Sequence, residues 1–133
     1  MNRRALLLTA PIAALAPALL AVRPAHAEAR AFDPAAFDAA QAAGKPILVE
    51  ITAPWCPVCA KQRPVLGALE QKPAFKDLVV FNIDFDSQKD LVSKMGARMQ
   101  STLIVFHGRE ERGRSTGVSD PAAIEALLAR ATA

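Results

Sequence analysis

The sequence predicts one α/β domain, a small mixed sheet with helices on both faces. Three observations carry this. The short runs Ile47–Ile51, Leu78–Ile83 and Thr102–Phe106 have strand length and are almost continuously apolar, the pattern of strands covered on both sides. Helical patterns fill the intervals between them, as crossovers between parallel strands require. A polar strand follows Gly108 and reads as an antiparallel edge. A chain of 133 residues has material for one ordinary domain. Two cysteines are too few for a multi-disulfide scaffold, and two histidines leave little for a structural zinc site.

Residues 1–27 stand apart as an export signal. Arg3 and Arg4 open it, Ala5 to Val22 is an uncharged apolar stretch of 18 residues, and Ala25-His26-Ala27 is a small-x-small cleavage site. The rival reading is a retained anchor holding the domain on the periplasmic side of a membrane, but Pro11 and Pro17 interrupt a stretch already short for a span. Arg3-Arg4 before Leu6-Leu7 loosely matches a twin-arginine signal. The segment holds three arginines and no acid, so the formal charge of +3 leaves with it. The domain that remains, 28–133, is balanced in charge. Neither a nucleic-acid groove nor a polybasic membrane patch is expected.

The elements of the domain follow in order. Asp33-Pro34 is an N-cap with proline at the first helical position. That helix runs to about Ala43, stops at Gly44 and is followed by Pro46. The first apolar strand, broken only by Glu50, leads into a loop with Pro54 and Pro57. A helix from about Cys59 to Gln71 turns Val65, Leu66 and Leu69 to one face, with Pro64 as an internal kink. After the second strand, Ser87 caps a helix to Met95 that turns Leu91, Val92 and Met95 inward and ends at Gly96. The third apolar strand turns at Gly108 into the polar strand, about Glu111 to Ser115. Ser119-Asp120-Pro121 opens a last helix that buries Ile124, Leu127 and Leu128.

Both cysteines lie in Trp55-Cys56-Pro57-Val58-Cys59, between the first apolar strand and a helix. The spacing sets Cys56 at the helix N-terminus and Cys59 about one turn in. Unpaired N–H groups at a helix start favour an anion and lower a thiol pKa there. The thiolate is the nucleophile of disulfide exchange, so Cys56 attacks and Cys59, one turn away, resolves. Other uses of the pair fit less well. A static disulfide closing so short a loop adds little stability. A haem-attachment motif needs histidine where Ala60 stands, and a zinc site needs more ligands than His107, the one histidine of the mature chain.

Nearly the whole mature chain resembles the thioredoxin family. The matching stretch is Val49-Glu50-Ile51-Thr52-Ala53-Pro54-Trp55-Cys56-Pro57-Val58-Cys59, followed by Pro64 at the offset of the family's kinking proline. Phe81-Asn82-Ile83-Asp84 and Ser101-Thr102-Leu103-Ile104-Val105-Phe106-His107-Gly108 are similar to two later family strands. The resemblance implies a thioredoxin fold, thiol-disulfide oxidoreductase activity on protein disulfides or dithiols, and no cofactor besides a redox-active Cys56–Cys59 disulfide. With the export signal it resembles the family's periplasmic branch. At the position of Glu50 the family usually carries a buried Asp that exchanges protons with the resolving thiol, and the motif offset favours that role over the other reading, a solvent-facing glutamate on a half-exposed strand. An acid inside an apolar strand has a raised pKa and suits a base near neutrality. Trp55 reads equally as a wall beside the thiols that contacts substrate and as a packing residue over the helix start. His107 is expected to decorate a turn and take no part in catalysis.

Two departures from the family pattern stand out. Ser101, before Thr102, replaces a cis-proline beside the dithiol. A cis bond before any other residue costs about 2.5–4 kcal/mol, so Ser101 need not be cis. The substrate rim formed by Ser101 and Thr102 is then reshaped, the dithiol is more open to metals, and the Ser101 hydroxyl is in a position to bond the Cys56 thiolate. The dipeptide Pro57-Val58 carries no charge or histidine to stabilise a thiolate. This favours a reductant or electron relay over an oxidant, since potentials in this fold span about 150 mV, or about 7 kcal/mol for two electrons.

The leading expectation is an exported, monomeric oxidoreductase that draws electrons from a membrane donor, because the ordinary periplasm is kept oxidising. The competing expectations are a Cu(I) carrier using Cys56 and Cys59, and a disulfide oxidant or isomerase.

Overall fold

A computed structural model describes residues 29–133. The expected export signal lies outside the described residues. A five-stranded sheet has the order β1-β3-β2-β4-β5, with β1 at Arg30–Ala31, β2 at Pro46–Thr52, β3 at Val79–Asp84, β4 at Thr102–His107 and β5 at Glu110–Thr116. β1, β3 and β2 run parallel and β5 is the antiparallel edge expected of the polar strand, so the sheet is mixed as expected, but the crossover expected before the third apolar strand is corrected: β4 pairs antiparallel with β2. The central strand is β2. All of Ile47–Ile51 is buried, because helices close both of its faces.

The helices are α1 at Pro34–Ala42, α2 at Pro57–Glu70, α3 at Lys89–Lys94 and α4 at Pro121–Thr132. Alternation along β2 sorts the core into two layers. Ile47, Val49 and Ile51 pack with Phe81, Ile83, Ile104 and Val92, against Phe37 of α1. Phe32, Phe37, Phe81 and Phe106 interlock there, with ring centroids 5.0–5.7 Å apart. On the other face Leu48, Val80, Leu103 and Val105 meet Leu66 and Leu69 of α2 and Ile124, Leu127 and Leu128 of α4.

Local rules explain the helix starts. Asp33 accepts the N–H groups of Ala35 and Ala36, Asp120 accepts that of Ala123, and a proline follows each. The expectation for α3 is corrected. Gln88, not Ser87, is its N-cap, with no side-chain cap bond. The Ser87 hydroxyl instead donates to Asp84 Oδ1 at 2.8 Å. α2 begins at Pro57, earlier than the expected Cys59, because Cys56 itself serves as N-cap. His107 also differs from expectation. It is half-buried at the end of β4, and its Nδ1 lies 2.8 Å from the Ala131 carbonyl of α4.

Candidate active site

The dithiol sits where the central strand feeds a helix. β2 ends at Thr52, and the Cys56 N–H donates to the Ala53 carbonyl at 3.2 Å, turning the chain into α2. Cys56 has extended backbone, with φ −80° and ψ 112°, which is N-cap geometry. The Cys59 N–H donates to Cys56 Sγ at 3.1 Å, and Pro57 supplies a first helical position that needs no partner. Cys56 and Cys59 form a disulfide with Cα atoms 5.3 Å apart. Both are buried, packed against Ala53 with Val58 and Phe85 beside them. Once the disulfide is reduced, a thiolate at Cys56 meets a backbone donor already aimed at it, at the positive end of a helix of 14 residues.

The rim is built by three segments. Trp55 is 57% exposed, and its Nε1–H donates to Asp86 Oδ2 at 2.7 Å. Asp86 lies in the turn after β3, where Asp84 accepts the Asp86 N–H and both the N–H and the hydroxyl of Ser87. Those bonds hold the Asp84 carboxyl below its ordinary pKa. Thr102 pairs with Ile51, so Ser101 stands just past the end of the sheet, beside the strand end that feeds Cys56. Its peptide is trans, and φ is +56°, the left-handed region. The Ser101 hydroxyl donates to the Gln100 carbonyl at 2.6 Å, so the expected bond to Cys56 sulfur is not formed. The buried Thr102 hydroxyl donates to the Met99 carbonyl at 2.7 Å and lies 3.0 Å from that of Thr116. Among the described residues, Trp55 and Met99 (52%) are the exposed large apolar side chains.

A polar seam runs under α2. Glu50 is buried on β2, opposite Asn82 of β3. Burial pushes its pKa up, while the Asn82 amide, at 3.5 Å from Oε2, and the Arg63 guanidinium pull it partly back. Glu70, at the end of α2, is pushed up to about 7 by burial and then by the charge of Glu50. Sequence reasoning found Glu50 but missed Arg63, Glu70 and Gln62. Their spacing from Cys59 held the signal: Cys59, Arg63, Leu66 and Glu70 share one helical face, and Gln62 stands at a core position with Leu66 and Leu69. Among the described residues, no third His, Cys, Asp or Glu joins the cysteines in a cluster able to hold a metal ion.

The thioredoxin family model matches residues 28–130. Thioredoxin of Bacillus subtilis (strain 168) is 32% identical over 82 residues, which is 62% of this chain and 78% of that protein. Thioredoxin of Alicyclobacillus acidocaldarius is 32% identical over 93 residues, 70% of this chain and 88% of that protein. The crystal structure of Trxlp from Edwardsiella tarda EIB202 is 40% identical, with a TM-score of 0.74, over 76% of this chain and 98% of that one. The fold is therefore the thioredoxin fold, and it carries the Cys56–Cys59 disulfide at the start of α2. The chain belongs to the thioredoxin family and is a thiol-disulfide oxidoreductase.

Proposed function

We propose that the protein is an exported reductant or electron relay for protein disulfides in the periplasm, acting as a monomer and recharged by a membrane electron donor. The observation that carries the reading is the dipeptide enclosed by the dithiol. Cys56 receives one backbone donor, from Cys59, and Val58 beside it is apolar. A strong oxidant needs a heavily stabilised reduced form. The N-cap alone activates the thiol without that extra stabilisation, which fits donation of electrons. The Arg3-Arg4, Ala5–Val22 and Ala25-His26-Ala27 pattern supports export.

In the proposed reaction the Cys56 thiolate attacks a substrate disulfide sulfur. One substrate cysteine leaves as a thiolate, which takes a proton from solvent, and the other stays bonded to Cys56. The Cys59 thiol passes its proton towards Glu50 and attacks Cys56 Sγ. That step releases the second substrate cysteine as a thiolate, which takes a proton from solvent, and restores the Cys56–Cys59 disulfide. Two electrons reach the substrate, and the membrane donor returns two. Burial raises the pKa of Glu50, which makes it a stronger proton acceptor than an ordinary carboxylate. Trp55 and the backbone at Ser101 and Thr102, whose side chains are buried, form the rim that a substrate chain meets.

Titration of the purified protein in graded glutathione or dithiothreitol buffers, with thiol trapping, tests the direction. The expected midpoint is about −200 mV or lower, whereas a midpoint near about −120 mV marks an oxidant and removes the reductant reading.

A further inference from the structure

Gln62 is 1% exposed, yet it is a polar residue at a core position of α2, one turn past Cys59. Its amide Nε2 donates to the Val118 carbonyl at 2.8 Å and to the Ser101 carbonyl at 3.2 Å. The Gly117 N–H donates to the same Ser101 carbonyl at 3.0 Å. Both Gln62 amide protons are thus spent on the two segments that flank the dithiol helix. Ser101 is the one non-glycine residue with positive φ among the described residues. A side chain in that region is strained and stays there only when its surroundings hold it. Two hydrogen bonds to its carbonyl and one from its hydroxyl do so here.

We propose that Gln62 is a positioning residue of the disulfide exchange, clamping the strained Ser101 rim to the helix that carries the dithiol and so setting how protein substrates dock. The proposal rests on the reading of Ser101 as substrate rim. Gln62 touches neither sulfur by hydrogen bond, so its effect reaches the reaction through the rim backbone. Loss of its amide leaves the Val118 carbonyl unpaired and removes one of the two donors on the Ser101 carbonyl. Ser101 then relaxes towards negative φ, and the rim no longer presents one shape. A small disulfide that meets only the sulfurs is indifferent to this, whereas a protein disulfide is not.

The test measures kcat and KM for insulin reduction, and the rate with a small aromatic disulfide, for the full chain and its Gln62→Met, Ser101→Gly, Ser101→Val and Gln62→Met/Ser101→Gly variants. Glycine takes positive φ without strain and needs no clamp. Gln62→Met is expected to raise KM for insulin about tenfold, equivalent to about 1.4 kcal/mol. Its kcat and small-disulfide rate should stay within about twofold, or about 0.4 kcal/mol, because neither depends on the shape of the rim. In the Ser101→Gly background the same change should raise KM by less than about twofold, because the strain is gone. An equal rise in both backgrounds overturns the clamp and leaves Gln62 a packing residue. Ser101→Val, which resists positive φ, separates the two readings. An unchanged KM there removes the rim reading and the clamp with it, whereas a raised KM with no effect of Gln62→Met removes the clamp alone. If Gln62→Met does not fold, nitrogen-resolved NMR of the unaltered protein decides. Slow exchange of both Gln62 amide protons, with shifts that move on titration with a substrate peptide, supports the clamp. Fast exchange or unmoved shifts overturns it.

Discussion

Glu70→Gln has an effect whose size and pH range the structure sets. The Glu70 pKa rises from an ordinary 4.5 to about 7, through burial and then repulsion from Glu50. Between those values the folded chain holds a proton that the unfolded chain has released. Stability therefore falls as pH rises across this window and stays lowered above it. Conversion of the whole shift sets a ceiling of about 3 kcal/mol. The carboxyl is only partly desolvated, so solvent screening reduces the expected effect to about 1–2 kcal/mol. Glutamine keeps the shape and removes the titration. Urea unfolding of the oxidised proteins at pH 4 and pH 8 is the assay. Parent and variant should agree within about 0.5 kcal/mol at pH 4, and the variant should be the more stable by about 1–2 kcal/mol at pH 8. An equal difference at both pH values, or a less stable variant at pH 8, refutes the reasoning, because it means that Glu70 ionises without penalty.

Two other substitutions probe separate parts of the structure. Glu50→Gln removes the buried acid assigned to the Cys59 proton. Insulin reduction at neutral pH should slow about tenfold or more, and stopped-flow pH profiles should lose the inflection that Glu50 supplies. An unchanged profile removes the assigned role. Because the folded pKa of Glu50 is also raised, this variant should gain stability relative to the parent as pH rises above the ordinary carboxylate range. Leu128→Ala empties a fully buried position between α4 and the sheet and should cost about 2–5 kcal/mol in urea unfolding, with the redox midpoint unmoved. A moved midpoint would show that this layer reaches the dithiol.

The sequence shows most clearly the features that its near-continuous apolar runs mark. Ile47–Ile51, Leu78–Ile83 and Thr102–Phe106 announced buried strands, and the structure places them at the sheet centre. Glu50 was visible because a charge in such a run needs a reason. β1 escaped notice because Arg30 and Ala31 are both exposed and only two residues long, and their pairing with Phe81 and Asn82 of β3 defines the strand. Ser87 reads as the cap of α3, but its hydroxyl is bonded to Asp84, three residues back, and Gln88 takes the cap position. The dithiol was legible as a spacing together with its strand-loop-helix setting. The positive φ of Ser101 was not, since no local signal marks a serine for the left-handed region. Gln62 was within reach. A polar residue in phase with Leu66 and Leu69 is anomalous, and its meaning became clear only once Ser101 and Val118 stood opposite.

The most direct test of the account is a trap of the covalent intermediate. Purified Cys59→Ser protein, incubated with a disulfide substrate, should accumulate a mixed disulfide, and peptide mass spectrometry should place it on Cys56. Cys56→Ser protein should trap nothing and lose disulfide reduction. A mixed disulfide on Cys59, or reduction retained without Cys56, would contradict the assignment of Cys56 as the attacking thiol.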